Sequence, residues 1–468
     1  MSSDLIWFVV LYLGASLAIG LVAGLRVKNT SDYITAGRRL PIYVIFAAVF
    51  ATWFGAETVL GISATFVREG LGGLVSDPFG AALCLILVGL FFARPLYRMN
   101  LLTIGDFYRR RYNRPVELIA SICIALSYLG WVSAQITALG LVFDVLSSGA
   151  ISREWGMVIG ATVVLTYTLV GGMWSVAVTT FVQMIIIVAG LIYIAYLVSG
   201  MTGGVAPVLE HAAAHGKLEF WPKLGAAELI GFIAALVTMG LGSIPQQDVF
   251  QRVNSAKTEN AAVYGTILGG VAYFLFAAVP LYLVYSATLI DPQLVNDLIE
   301  KDPQRILPTF IANHLPLHVQ IIFYGALLAV IMSTASGTLL APSVTIAENV
   351  LKPWFRDLTD RQFLRMTRAV VVCFALAVTA YSLTTEATIH KMVENAYKVT
   401  LVAAFVPLAA GVYWQRASTQ GALAASLGGL ATWITMEWVW SDALVPPQFA
   451  GLLASIAGMV IGSLLARR

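Results

Sequence analysis

The stretch Gly240-Leu-Gly-Ser-Ile-Pro-Gln-Gln-Asp-Val-Phe-Gln-Arg252 places helix breakers, adjacent glutamines and an aspartate where the chain is expected to cross a membrane. Lipid offers no partner for a free backbone N–H or C=O, so a broken helix survives there only against protein or a water-filled cavity. Secondary transporters build solute and ion sites from such interrupted helices. The stretch therefore predicts a carrier of a small solute.

The composition of the whole chain supports a membrane protein. Its 468 residues are 59% apolar and 11% charged, with a mean hydropathy of +0.83, which is far too apolar for a soluble protein. We predict about thirteen apolar segments, each near the roughly 20 residues that a spanning helix needs. They are 5–25, 41–67, 72–98, 115–147, 153–171, 175–199, 226–250, 260–289, 316–350, 364–385, 390–413, 419–440 and 446–466. We therefore expect an all-α membrane protein with a single transporter domain over residues 1–468.

Charged residues around the apolar segments predict the orientation of the chain. Asp4 precedes the first segment and Arg26 and Lys28 follow it, the reverse of a cleavable signal peptide. With the N-terminus outside, most of the 28 basic residues fall in inside loops and the C-terminus is cytoplasmic. We expect a bacterial inner (plasma) membrane. The net charge of +3 reflects this bias and does not indicate a nucleic-acid partner.

The sequence contains none of the common signatures of an enzyme or an ATP-driven pump. Cys84, Cys123 and Cys373 all lie inside apolar segments, and no pair has metal-ligand spacing. The five histidines are scattered. There is no phosphate-binding glycine loop and no pairing of a nucleophile with a base. We therefore predict no catalytic residues.

Two irregular segments suggest an internal repeat. Residues 51–61, ATWFGAETVLG, carry a carboxylate, two threonines and two glycines at mid-depth, much like the stretch at 240–252. These segments open two successive groups of five, and an odd group length inverts the second group. The predicted parts are an extra N-terminal helix and inside loop (1–40), repeat 1 (41–199), repeat 2 (226–413) and two C-terminal helices (419–468).

Glu57 and Asp248 are the carboxylates that call for an explanation. A carboxylate in a membrane segment costs several kcal/mol unless it is paired, protonated or hydrated, so each is a candidate for solute binding. The alternative is a structural role, in which each caps a half-helix or pairs with a basic group. Lys398 is a weaker candidate, because an i,i+4 ion pair with Glu394 explains it.

Hydroxyl and aromatic side chains add further candidates. Ser333 and Thr334 are adjacent hydroxyls in an apolar segment, where most hydroxyls bond back to the i−4 carbonyl. Together with free carbonyls in a broken helix, they would supply the neutral oxygens that a dehydrated sodium ion requires. Trp53 and Trp131 could offer aromatic faces to a cation.

Four motifs in this order resemble the sodium/solute symporter family, whose members carry sugars, proline, sialic acid, pantothenate and choline. The motifs are Asp32–Arg38, Thr168–Gln183, Gln251–Arg252 and Ala329–Ser336, and the resemblance covers residues 5 to about 440. It implies a leucine-transporter-type fold with an inverted five-plus-five helix repeat.

The resemblance also implies a sodium site. By motif position, its ligands are backbone carbonyls of Ala51, Phe54 and Val330 and the hydroxyls of Ser333 and Thr334. Many members of the family have an aspartate where this chain has Thr180, and some use it for a second sodium ion. The threonine therefore argues for one coupling ion.

Within the family the choline-like branch looks most similar. The similarity lies in Ala51–Trp53, Leu90–Pro95, Ile244–Pro245 and Phe250–Arg252. Choline recognition calls for an aromatic cage. Only Trp53 and Trp131 fall on cage positions, and other aromatic positions of that branch are Ala81, Gln246 and Val393 here. The predicted cage is incomplete, so the sequence does not assign choline as the solute.

These observations predict a sodium-coupled symporter that imports a small polar organic solute, cationic or amine-bearing, by alternating access. The predicted solute-binding residues are Trp53, Glu57, Trp131, Gln246, Gln247 and Asp248. The predicted partners are the solute, the sodium ion and the lipid bilayer. A proton-coupled or sodium-independent carrier, a transporter-like sensor and a channel remain as alternatives.

Overall fold

The protein is built from membrane-length helices in a computed structural model that describes residues 3–223, 225–355, 357–440 and 443–466. The main helices are α1 (Ser3–Gly24), α2 (Ile42–Trp53), α3 (Glu57–Glu69), α4 (Leu71–Arg98), α5 (Arg114–Leu146), α6 (Arg153–Met201), α7 (Ala226–Gly242), α8 (Gln247–Ser255), α9 (Glu259–Ile290), α10 (Leu317–Trp354), α11 (Asp360–Thr384), α12 (Ile389–Tyr413), α13 (Thr419–Val439) and α14 (Pro447–Leu465). The prediction of an all-α protein is confirmed. The C-terminus is predicted to be cytoplasmic, and its last two residues, Arg467 and Arg468, lie outside the described residues.

The helices follow the apolar segments closely. Among the described residues, nine helices are long and apolar enough to cross a membrane, or eleven when the pairs α2–α3 and α7–α8 each count as one span. The 49-residue helix α6 contains non-helical backbone at Gly172, so it covers two predicted segments, 153–171 and 175–199. Helix α13 coincides with segment 419–440 but is not among the nine helices that are apolar enough to cross a membrane.

Two spans are broken where the sequence predicts interruption. Helices α2 and α3 meet at 46°, and Phe54 leaves the helical region with φ −76° and ψ 74°. Helices α7 and α8 also meet at 46°, across Ser243–Gln246. Pro245 lies in this second break and has no N–H to continue a helical ladder. Each break leaves carbonyls and amides that other groups must satisfy.

Helix α10 lies at the centre of the molecule. Of its most apolar 18-residue window, 83% is buried, more than in any other described span that meets the same criterion. It packs against α2, α5, α6, α8 and α11. Its hydroxyl-rich middle therefore lies beside both broken helices, which is the arrangement that the predicted sodium site requires.

Candidate functional site

One face of α5 connects the two breaks. Tyr128, Trp131 and Gln135 are spaced at three and four residues, so they project from the same side of the helix. Trp131 and Gln135 contact the first broken helix, α2–α3, while Tyr128 contacts the second, α7–α8. Ser127, next to Tyr128, also contacts the second. Helix α5 therefore contacts both breaks, where the predicted solute-binding residues lie.

The Glu57 carboxylate is held by two donors from α5. Trp131 Nε1 donates to Oε1 over 3.1 Å, and Gln135 Nε2 donates to Oε2 over 2.6 Å. The Gln135 amide also accepts a bond from the Ala56 N–H over 3.0 Å, so it braces the break itself. A Cβ on Gly55 would lie 2.8 Å from Glu57 Cδ, so this position has no room for a side chain. Glu57 is completely buried with both oxygens aimed at α5.

Four aromatic rings form a cluster beside Glu57. The rings of Trp53 and Trp131 stack with centroids 4.8 Å apart, and Trp131 also stacks on Tyr128 at 5.8 Å. Tyr397 of α12 meets both tryptophans edge-on, at 5.4 and 5.6 Å. The sequence pointed only to the two tryptophans. The structure adds Tyr128 and Tyr397, so the cluster is richer in aromatic groups than the incomplete cage that the sequence predicted.

At the second break, the side chains of Gln246 and Thr400 bond to each other, and Thr400 also bonds to a free main-chain carbonyl. The Thr400 hydroxyl donates to the Gly242 carbonyl over 2.7 Å and accepts from Gln246 Nε2 over 3.4 Å. The same amide nitrogen donates to Ser127 Oγ over 3.0 Å. Gln246 therefore links α8 to both α5 and α12.

Asp248 is engaged by protein groups on both of its oxygens. The Tyr128 hydroxyl donates to one carboxylate oxygen and accepts from the Asp248 N–H, while Arg252 Nη1 lies 3.2 Å from the other oxygen. Arg252 Nε also donates to the Ala48 carbonyl of α2 over 3.0 Å. This ion pair corresponds to the structural alternative for Asp248. Through Tyr128, the aspartate also orients a ring of the aromatic cluster.

Gln247 faces a different neighbour. Its Oε1 accepts from the N–H of Ile104, at the start of the short helix Ile104–Arg111, over 2.8 Å. The six predicted solute-binding residues are all fully buried. Trp53, Glu57 and Trp131 form one contacting group, and Gln246 and Asp248 join it through α5.

The five oxygens of the predicted sodium site fall into two adjoining sets. The Thr334 hydroxyl lies 3.1 Å from the Ala51 carbonyl and 3.5 Å from the Phe54 carbonyl. The Ser333 hydroxyl, one residue earlier on α10, donates to the Val330 carbonyl over 2.9 Å. All five residues are buried. Neutral carbonyl and hydroxyl oxygens are the donors that a hard monovalent cation prefers.

Several buried polar atoms near the breaks have no hydrogen-bond partner among the described residues. They are Trp53 Nε1, Tyr397 Oη, Ser243 Oγ and Gln247 Nε2. Buried donors and acceptors normally find a partner, because leaving one unpaired costs about 1–3 kcal/mol. Trp53 Nε1 and Tyr397 Oη belong to the aromatic cluster, so two of these unpaired polar atoms lie among the predicted solute-binding residues and their neighbours.

One expectation from the sequence is wrong. Glu394 and Lys398 form no ion pair: within the described ranges, the i,i+4 pairs are Asp248–Arg252 and Glu348–Lys352. Glu394 instead lines a cavity of about 590 Å³, together with Gly61 and His390. Its carboxylate therefore has access to solvent and does not need the lysine.

The family model described as the sodium:solute symporter family matches residues 33–429. The human high affinity choline transporter 1 is 28% identical over 92% of this chain and 76% of its own length. The sodium/proline symporter of Escherichia coli (strain K12) is 26% identical over 97% of this chain and 92% of its own length.

A solved structure shares the fold. The outward-open, substrate-bound structure of a Na⁺-coupled sialic acid symporter superposes with a TM-score of 0.83 at 18% identity, covering 100% of this chain and 98% of that one. The predicted leucine-transporter-type fold is thereby confirmed.

Proposed function

The chain belongs to the sodium:solute symporter family, and on that premise we propose that it imports a small organic solute with a cationic or amine end. It is a sodium-coupled transporter, and sodium is its coupling ion. We propose a ratio of one sodium ion per cycle, since Thr180 stands where a carboxylate would serve a second ion.

The observation that carries the proposal is the contact between α10 and the first break. The Thr334 hydroxyl lies within 3.5 Å of the carbonyls of both Ala51 and Phe54, and Ser333 and Val330 add oxygens from the next positions on α10. A sodium ion that binds all five would join α2 to α10 and favour the conformation in which they meet.

The proposed solute site lies directly beside this ion site. Trp53 immediately precedes Phe54, and its ring belongs to the aromatic cluster that contacts Glu57. The proposed solute contacts are Trp53, Glu57, Trp131, Gln246 and Gln247, with Asp248 acting through Tyr128. Because sodium and solute both act on the first break, each should raise the affinity for the other by the same factor.

Alternating access is then a change in how α2–α3 and α7–α8 pack against α5 and α10. We propose that the first segment begins outside, that repeat 1 spans residues 41–199 and that repeat 2 spans 226–413. The cavity of about 590 Å³ at the end of α3 is the proposed outer vestibule.

The test compares two double variants on the same helix. Ser333→Ala with Thr334→Ala removes the proposed ion ligands, whereas Ser343→Ala with Thr345→Ala removes buried hydroxyls that bond only to carbonyls of α10. A thermal-shift screen of amines, amino acids, carboxylates and sugars first selects the solute. Uptake of that solute into proteoliposomes is then measured with a sodium gradient and with potassium in its place.

We expect sodium-stimulated uptake by the first variant to fall about tenfold or more. Each contact between a polar oxygen and a charged group contributes roughly 1.5–3 kcal/mol, and this variant loses two of them. The second variant should keep it. Equal stimulation in both variants would remove the proposed ion site.

A further inference from the structure

Asp77 is a buried carboxylate that neither the family motifs nor the predicted site includes. It lies near the start of α4, where the backbone leaves the helical region with φ −140° and ψ 122°. The Tyr273 hydroxyl of α9 donates to its Oδ1, while Oδ2 has no partner among the described residues. The residue is only 2% exposed, so this oxygen is held out of bulk water.

Asp77 belongs to the same cluster as the proposed solute site. The Tyr273 hydroxyl lies 3.4 Å from Thr58 Oγ1, which in turn donates to the Trp53 carbonyl over 2.8 Å. A chain of hydrogen-bonding groups therefore leads from Asp77 to the first break.

Glu57 and Asp77 also lie close to residues that line the proposed outer vestibule, which is called the outer cavity below. Gly61, one turn beyond Glu57 on α3, lines the cavity, as does Ser76, the neighbour of Asp77. A solute that enters the cavity from outside would meet these two carboxylates on its way to the aromatic cluster.

Charge balance distinguishes Glu57 and Asp77 from the other buried acids. Of the buried carboxylates among the described residues, Asp32, Glu117 and Asp248 each have a basic group within 4 Å. Glu57 and Asp77 have none within the same part of the chain. Two uncompensated negative charges in a membrane interior are strongly unfavourable. A sodium ion and a monovalent organic cation together carry the two positive charges that would balance them.

We infer that Asp77 and Glu57 together hold the cationic end of the solute, and that this end carries N–H groups. This rests on the proposed function and narrows its solute to protonated amines. The unpartnered Asp77 oxygen is an acceptor, and the charged centre of an organic cation can donate to it only through an N–H. A quaternary ammonium could use the tryptophan faces, but would leave that oxygen unpaired.

The test uses pairs of cations that differ in one N–H. The probes are N,N-dimethylethanolamine against choline, and N-methylpyrrolidine against N,N-dimethylpyrrolidinium. Dissociation constants are measured by calorimetry on the purified full chain in sodium chloride, for the wild type and for Asp77→Asn. The control is Glu228→Gln, which neutralises an exposed carboxylate at the outer cavity and leaves the buried pair intact.

We expect the wild type to bind the N–H member of a pair about tenfold or more tightly than its quaternary partner. Asp77→Asn should lose that preference, Asp77→Glu should regain part of it, and Glu228→Gln should keep it. The inference is overturned if the wild type shows no preference, or if Asp77→Asn retains it. The wild-type comparison decides the matter even if the Asn variant fails to fold.

Failure of the proposed function looks different. If the chain takes up a neutral solute under a sodium gradient but binds none of the four cations, sodium-coupled transport stands and the assignment of an amine falls. If no solute of any class is taken up with sodium, the proposed function itself fails.

Discussion

Glu57 shows what a charged residue at membrane depth requires from its neighbours. Its carboxylate has one indole and one amide donor, both from α5, and Gly55 leaves space for the side chain to fold back over the break. Hydrogen bonds to a charged group contribute roughly 1.5–3 kcal/mol each, so the two donors offset a large part of the burial penalty. The break and the carboxylate therefore stabilise one another.

Trp131→Phe should lower the stability of the sodium-free, solute-free protein more than Trp53→Phe does. Both changes remove similar ring area from the same stack, but only Trp131 Nε1 donates to Glu57, whereas Trp53 Nε1 has no partner among the described residues. The expected difference is about 1.5–3 kcal/mol. Melting temperatures of the purified variants check it, and equal losses would contradict the role assigned to the indole N–H.

Sequence reasoning identified charged residues in apolar segments but not all of their partners. Glu57 and Asp248 were candidates because a charge stands out against apolar neighbours. Tyr128 and Gln135 did not stand out, since a single polar residue in a long helix gives no sign of what it faces. Their spacing with Trp131 was the available signal, because it places all three on one side of α5. Asp77 was missed because it lies close to the end of its segment, where acids are common.

At the scale of elements, the two broken helices use different means to satisfy their open backbone. At the first break, the side chains of Gln135 and Thr334 bond to main-chain groups. At the second, Thr400 donates to the Gly242 carbonyl and Gln246 bonds to Thr400 in turn. At each break, side chains from other helices therefore supply the hydrogen bonds that the main chain would lack inside a membrane.

Thr400→Val should destabilise the second break and weaken solute binding. Valine keeps the shape of threonine but leaves the Gly242 carbonyl and one Gln246 contact unsatisfied, at a cost of about 1–3 kcal/mol. Thr238→Val is the matched control, because this equally buried hydroxyl of α7 bonds only to the Ala234 carbonyl of its own helix. Thermal stability and solute affinity are measured together. A Thr238 variant that loses as much as the Thr400 variant would sink the explanation.

The breaks themselves were predictable, whereas their bracing was not. Glycine, proline and polar residues within apolar segments mark an interruption from local chemistry alone. The threonine that closes the second break comes from α12, about 150 residues later, as the sequence separation of 154 between Gln246 and Thr400 shows. Such long-range contacts leave no local pattern in one sequence.

At the scale of the whole molecule, one polar network ties the ends of α10 and α5 together. The Asn349 amide accepts from Thr103 Oγ1 over 2.7 Å and donates to Asp106 and Glu117, each over 2.9 Å. Arg114 pairs with Glu117 at 2.8 Å. With the orientation that the sequence predicts, this network would lie on the cytoplasmic side, and we propose that it keeps that side closed.

Asn349→Ala should favour opening toward the inside. It removes three hydrogen bonds, and a loss near 1.4 kcal/mol already changes a population about tenfold. The native thiol Cys123, which is 7% exposed on α5, can report the opening after Cys84→Ser and Cys373→Ser. We expect its rate of modification by a membrane-impermeant maleimide, applied from the inside, to rise about tenfold. Asn254→Ala, which changes another buried asparagine, should leave the rate unchanged, and a similar rise in both variants would contradict the role proposed for the Asn349 network.

Hydropathy predicted the helices of the molecule well because a membrane span is set by length and apolarity, which are local quantities. Every predicted segment coincides with a described helix, with part of one, or with one of the two broken pairs α2–α3 and α7–α8. The 46° bends and the central position of α10 depend on packing between distant segments, so they appear only in the structure.

The proposed ion ligands and the α5 side chains of the proposed solute site lie on different helices, and this separation has an evolutionary consequence. The proposed ion ligands come from α2 and α10, while the side chains that reach from α5 to both breaks belong to the proposed solute site. We therefore expect mutations along α5 to change which solute is accepted while coupling to sodium is retained. Related transporters could then evolve toward different solutes while they keep the same sodium-binding residues.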